Sequence, residues 1–202
     1  VVDFLEDLLT DGVQIDHLDI GGGFGIRYKN ENPPLPADYV NAVVDVMESR
    51  RHRLPVMIEP GRSIVGNAGV LITKVEYLKH NDQRDFAVVD AGMNDLMRPA
   101  LYGSYHEILP ARLGSESADY NYSVVGPICE SADFLGHERN LALAETDLLV
   151  IQSAGAYGFV MSSNYNSKPR PPEVIVDQDQ FYVVRRRETL NQLMEGECLF
   201  PR

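Results

Sequence analysis

The stretch His17-Leu18-Asp19-Ile20-Gly21-Gly22-Gly23-Phe24-Gly25 decides the fold class. Its first four residues read as a short buried strand, and the glycines that follow mark a tight strand-end turn. Upstream, Val1, Val2, Leu5, Leu8 and Leu9 share one helical face, and Asp11-Gly12 supplies a C-terminal stop. Downstream, Pro33, Pro34 and Pro36 punctuate a loop before Val40, Val43, Val44 and Met47 recur at helical spacing. Leu54 to Glu59 reads as a second strand, closed by Pro60-Gly61. Helix, strand, loop, helix, strand is the pattern of parallel βα units.

Beyond residue 70 the texture changes. Val70–Leu78, Phe86–Asp90, Tyr122–Val125, Leu148–Gln152 and Val174–Val176 read as strands separated by glycines, prolines and polar turns. A short turn is expected near Asp95, and Ser63–Gly69 reads as a helix or a linker. Ala111–Asp119 and Ser167–Pro172 have the composition of mobile surface loops. An α/β part over residues 1–70 is therefore expected to precede a mainly β part over residues 71–202. The chain opens at Val1, inside the helical pattern and without an N-cap, so a longer chain is expected to precede it.

The 202 residues carry a net charge of −12, with 44% hydrophobic and 24% charged residues, an ordinary globular balance. That charge argues against nucleic acid or an anionic membrane as partner, since both call for clustered Lys and Arg. Cys129 and Cys198 form no CxxC pair and no metal-like spacing, which points to a reducing cytoplasm and to no metal site. There is no apolar run near the roughly 20 residues a spanning helix needs, and no secretory signal pattern.

Two motifs carry chemistry. Successive glycine N–H groups after a strand can cradle a phosphate, although Gly21-Gly22-Gly23-Phe24-Gly25 equally suits a tight packing turn. The dinucleotide fingerprint fails, because Ile26 and Tyr28 stand where its third glycine belongs. Glu59-Pro60-Gly61-Arg62 ends the next strand, on the catalytic face of a parallel barrel. There a carboxylate can hold a cationic ring nitrogen, while a glycine N–H and an arginine can hold phosphate or carboxylate. Its bland reading is a turn with a surface ion pair. Two anion-friendly loops on neighbouring strands together favour a phosphorylated cofactor.

Leu18-Asp19-Ile20-Gly21-Gly22-Gly23-Phe24 and Glu59-Pro60-Gly61-Arg62-Ser63 resemble the paired signatures of the alanine-racemase-fold, pyridoxal-phosphate-dependent decarboxylases. Three further runs resemble the diaminopimelate branch of that family. They are Asp90-Ala91-Gly92-Met93-Asn94-Asp95-Leu96-Met97-Arg98-Pro99-Ala100-Leu101-Tyr102, Gly126-Pro127-Ile128-Cys129-Glu130-Ser131-Ala132-Asp133, and Ala154-Gly155-Ala156-Tyr157-Gly158 with its continuation to Asn166. The five motifs stand in order along essentially the whole chain.

The resemblance implies the last βα units of a (β/α)8 barrel that binds pyridoxal 5'-phosphate, then a C-terminal β-sandwich or β-barrel domain. It implies decarboxylation of meso-2,6-diaminopimelate to L-lysine and carbon dioxide by a homodimer with shared active sites. By position, Gly22 and Gly23 would contact the cofactor phosphate, and Glu59 the pyridinium nitrogen. Pro60, Gly61 and Arg62 would continue that site, Arg62 also meeting substrate. Arg98 and Tyr102 would bind substrate, with Arg98 on its distal carboxylate. Cys129 would be the catalytic proton donor and Glu130 the partner of the distal amino group, both acting across the dimer interface. Tyr157 would touch cofactor and substrate. Lys29, Lys74, Lys79 and Lys168 match no family lysine motif, so this chain alone is not expected to bond the cofactor covalently.

Read without the family, Arg98 could be an interdomain ion pair, Cys129 core filler, Tyr157 a packing aromatic, and no histidine, His106 included, is singled out. The rival functions are a same-fold decarboxylase of another basic amino acid or carboxylated polyamine, a non-catalytic homologue, and a phosphate-binding regulatory domain. A non-catalytic homologue would have lost Glu59, Cys129 or Arg98, and all three are present.

Overall fold

The computed structural model describes residues 1–50, 53–112 and 120–200. Helix α1 (Val2–Thr10) buries Leu5 and stops at Asp11, followed by Gly12 at φ +88°. Strand β1 (Leu18–Asp19) leads through the glycine loop to α2 (Pro36–Glu48), where Pro36 opens the helix instead of belonging to the loop before it. Proline suits that first turn because its missing N–H has no intrahelical partner to lose. Strand β2 (Val56–Met57) pairs in parallel with β1, Leu18 against Val56 and Asp19 against Met57, which completes a βαβ unit. Both strands are shorter and less buried than the sequence suggests: Asp19 and Met57 are exposed. Each has one hydrogen-bonded neighbour among the described residues, so the ladder has little to extend it. Ser63–Gly69, read as helix or linker, falls in helix α3 (Gly61–Val65) and a 3-10 turn over Gly66–Ala68.

The remaining strands are β3 (Leu71–Lys79), β4 (Asp85–Val89), β5 (Ile108–Pro110), β6 (Tyr120–Val125), β7 (Phe134–Leu141) and β8 (Leu148–Ile151). They form one sheet in the order β5-β8-β3-β4-β6-β7. Only β4 and β6 pair in parallel; the other pairings are antiparallel. Bulges in β3 and β6–β7 bend the sheet, and its edges β5 and β7 come into contact, so it curls toward a barrel. Between β4 and β5 lies the short helix α4 (Arg98–Tyr102), capped by Gly103 at φ +61°. Val75, Val89, Leu96, Ile108, Val124, Leu135, Leu149 and Ile151 fill the inside of the curl.

Strands β9 (Glu173–Asp177) and β10 (Gln180–Arg185) form a separate antiparallel hairpin, and α5 (Leu190–Leu193) follows with Thr189 and Gln192 as a reciprocal cap. Ser167–Pro172 is not a free surface loop. Lys168 binds the Asp95 carboxylate at 3.1 Å, and the Arg170 guanidinium binds Glu188 at 2.5 Å. Of the other expected loop, residues 113–119 lie outside the described residues. Leu148 and Leu149 give a direct test of the core assignment, since the first is 48% exposed and the second is fully buried. Leu149→Ala is expected to cost about 2–5 kcal/mol by denaturant unfolding, and Leu148→Ala to stay within about 0.5 kcal/mol.

Candidate active site

Parallel pairing brings the two motif loops to the same end of β1 and β2. Gly21 donates its N–H to Asp19 Oδ1 at 2.8 Å, and its carbonyl accepts the Glu59 N–H at 2.9 Å. A Cβ on Gly22 would lie 2.7 Å from the Glu59 carbonyl oxygen, so only glycine allows this approach. Gly23 sits at φ +92° with open space around it. Among the described residues the N–H groups of Gly22 and Gly23 have no hydrogen-bond partner, as an anion cradle requires. Gly61 differs from the expectation. Its N–H turns back to the Glu59 carbonyl at 3.0 Å, while open space where its Cβ would be leaves room for a ligand. The Glu59 carboxylate is exposed and makes no ion pair among the described residues.

Three expected residues meet beside this edge. The Arg62 guanidinium lies 5.3 Å from the Tyr157 ring centre, and that of Arg98 lies 5.9 Å from the same ring. Arg98 also stacks over Tyr28 at 4.7 Å. Tyr157 holds φ +62°, a conformation uncommon for a non-glycine residue, and it remains partly exposed. Arg98 is buried, and among the described residues it has no carboxylate partner. An uncompensated buried cation is costly on its own and suits an anionic ligand.

The side chains of Tyr102, Cys129 and Glu130 make no hydrogen bond, ion pair or ring contact with that group among the described residues. Tyr102 is exposed at the C-terminal end of α4, one helical turn from Arg98. Cys129 is an exposed free thiol, which rules out core filler. Glu130 is half-buried; among the described residues its carboxylate accepts from Ser131 Oγ at 3.2 Å and the Ala132 N–H at 3.4 Å, and its carbonyl accepts the Asp133 N–H at 3.0 Å. The loop that carries both is held by Asp133, whose carboxylate accepts the Met93 N–H at 2.6 Å and the Ile128 N–H at 2.7 Å. Burial pushes the Asp133 carboxyl up, against those two N–H groups.

The sequence did not single out His106. It is fully buried, with Nδ1 2.9 Å from the Gln152 carbonyl and Nε2 3.2 Å from Arg98 Nη1. A carbonyl can only accept and a guanidinium can only donate, so the ring is neutral with its proton on Nδ1. Burial holds its pKa below the ordinary value, opposed by the Gln152 hydrogen bond and aided by the charges of Arg98 and Arg139. The unfolded chain therefore takes this proton first as pH falls. Its contribution to stability is present above about pH 6.5 and is lost as pH drops further. Denaturant midpoints measured from pH 7.5 to about 5.5 should fall with pH, and His106→Gln should flatten that part of the profile.

The profile of the family described as pyridoxal-dependent decarboxylase, C-terminal sheet domain, matches residues 2–155. Diaminopimelate decarboxylase of Pseudomonas aeruginosa is 54% identical over 197 residues, covering 98% of this chain and 47% of that protein. The Vibrio cholerae enzyme of the same name is 51% identical, with the same coverage of 98% and 47%. The solved diaminopimelate decarboxylase of M. jannaschii in co-complex with L-lysine superposes at a TM-score of 0.93 and 35% identity, over 100% of this chain and 47% of that one. That from Helicobacter pylori, complexed with L-lysine, gives 0.87 and 38%, over 96% and 47%. The chain spans about half the length of the curated relatives it matches, and it belongs to the pyridoxal-dependent decarboxylase family.

Proposed function

We propose that the protein carrying this chain is a pyridoxal-phosphate-dependent decarboxylase of meso-2,6-diaminopimelate, giving L-lysine and carbon dioxide. The observation that carries the reading is Arg98, a buried cation without a carboxylate partner among the described residues, grouped with Arg62 around Tyr157 beside the glycine loop. The names of the relatives support the substrate, as do the two solved relatives complexed with L-lysine. The reading extends to a completed (β/α)8 barrel with its boundary at residue 70, a homodimer with shared sites, and a cytoplasmic location.

The residues present fit the cofactor. The free N–H groups of Gly22 and Gly23 suit its phosphate, and the open backbone at Gly61 lets that phosphate approach beside Pro60 and Arg62. The unpaired Glu59 carboxylate suits a protonated ring nitrogen and holds that proton in place. When bound, pyridoxal phosphate withdraws electrons from the substrate α-carbon, so that carbon dioxide can leave. Arg98 grips the distal carboxylate, Glu130 takes the distal ammonium, and Tyr102 and Tyr157 flank the substrate. Cys129 delivers a proton to the α-carbon after carbon dioxide departs. The Cys129 thiol is exposed on the chain, which supports its serving, with Glu130, the partner subunit's site.

Arg98→Ala in the full-length enzyme tests the substrate. Losing one side of a buried arginine–carboxylate contact costs about 2–5 kcal/mol. Turnover of diaminopimelate should collapse, while slow decarboxylation of lysine to cadaverine, which involves no distal carboxylate, should change much less. Equal losses on both would remove Arg98 from the distal subsite.

Cys129→Ala should slow product formation by about 10²–10⁴-fold, the usual worth of a positioned general acid. Mixing that variant with subunits lacking the cofactor lysine should restore activity, since one site of each mixed dimer then holds both groups. No recovery after proven subunit exchange would refute the shared site.

A further inference from the structure

Arg98 and Arg62 both face Tyr157, but Arg98 has a buried hydrogen-bonding support of its own. We propose that His106 is a positioning residue for the substrate carboxylate: its Nε2 takes one N–H of Arg98 and so fixes the plane of the guanidinium that grips the ligand. The inference rests on the diaminopimelate reading, which assigns Arg98 to the distal carboxylate.

The chain of support is continuous. The His106 Nδ1–H donates to the Gln152 carbonyl at 2.9 Å, and the Gln152 N–H donates to the Glu107 carbonyl at 2.8 Å. The His106 carbonyl accepts from Arg139 Nη2 at 3.0 Å, and the ring meets Tyr28 edge-on at 5.2 Å. Tyr28 in turn offers its face to the Arg98 guanidinium at 4.7 Å. Arg98 is thus held by an acceptor on one nitrogen and an aromatic face on its plane.

The chemistry of the acceptor matters. Buried arginines ordinarily pair with carboxylates. A carboxylate here would compete with the substrate and neutralise the charge the substrate needs. A neutral imidazole orients the guanidinium and leaves its charge available. A bidentate grip depends on the plane being set in advance, so loss of the support should appear as weakened carboxylate binding.

Two ligands separate this role from a structural one. L-Lysine retains the distal carboxylate and amine, whereas cadaverine lacks that carboxylate. In the full-length enzyme, His106→Asn reaches the Gln152 carbonyl but not Arg98. It should weaken L-lysine binding about tenfold or more by calorimetry, the scale of a lost hydrogen bond to a charged group, and leave cadaverine binding unchanged. The KM for diaminopimelate should rise in parallel, with kcat falling far less. His106→Gln, long enough to present an acceptor to Arg98 and a donor to Gln152, should restore most of the lysine affinity. His106→Phe is a second loss variant, should His106→Asn fail to fold. Equal weakening of both ligands, or of neither, while Arg98→Ala still discriminates between them, overturns the role of His106 and spares the substrate reading. If Arg98→Ala does not discriminate either, the substrate reading fails and the His106 role falls with it.

Discussion

The meeting of Tyr157 with Arg62 depends on one close backbone contact, that of Gly155 with the segment at the end of α3. The Gly155 N–H donates to the Gly66 carbonyl at 3.1 Å, and the Ala154 N–H donates to the Gly69 carbonyl at 2.8 Å. A Cβ on Gly155 would fall 1.9 Å from the Val65 carbonyl oxygen, so no other residue fits. The contact joins the βαβ unit to the end of β8, and it places Tyr157 over Arg62 two residues later. Asn67, which donates to the Arg27 carbonyl at 3.0 Å and to Ser153 Oγ at 2.7 Å, and Tyr28, which lies under Arg98, bridge the same joint.

Electrostatics around that joint divides into satisfied and unsatisfied parts. The loops that carry the candidate residues are closed by internal bonds. Asp95 accepts the Gly92 N–H at 2.9 Å and pairs with Lys168 at 3.1 Å, while Asp133 binds the Met93 and Ile128 N–H groups. Thr73 Oγ1 donates to Asp90 and accepts the Ala91 N–H at 2.9 Å, anchoring the start of the same segment to β3. Against this background, among the described residues, the Gly22 and Gly23 N–H groups have no hydrogen-bond partner, and neither Glu59 nor Arg98 has a partner of opposite charge. In a chain of net charge −12, leaving a buried arginine without a carboxylate is a specific arrangement, since an acidic side chain there would cancel the charge a ligand could use.

Some elements were legible because their signal is local. The glycine loop, the helix at Val40–Met47 and the apolar strands β3, β4, β6 and β8 follow from period and punctuation alone. Others were hidden for physical reasons. Strand β7 reads Phe-Leu-Gly-His-Glu-Arg-Asn-Leu, because an edge strand needs few apolar residues. Strand β5 is three residues long and contains Pro110, which only an edge tolerates. Strand β10 is separated from β9 by Gln178-Asp179, which lacks the usual hairpin glycine. His106 carried no local signal, since its two partners lie at Arg98 and Gln152 on other elements.

By itself the sequence determined the residue types, their order, and the class of fold. Strand and helix period is written in neighbours a few positions apart, and the paired motifs around Gly22 and Glu59 mark two turns at strand ends. Only the tertiary structure decided which of those residues share a site. It brought Arg62, Tyr157 and Arg98 together and left Tyr102 and Cys129 exposed. It also turned the Gly61 N–H inward and put a neutral histidine behind the buried arginine. These outcomes depend on hydrogen bonds and ring contacts between residues far apart in the chain, and no local pattern records such a pairing.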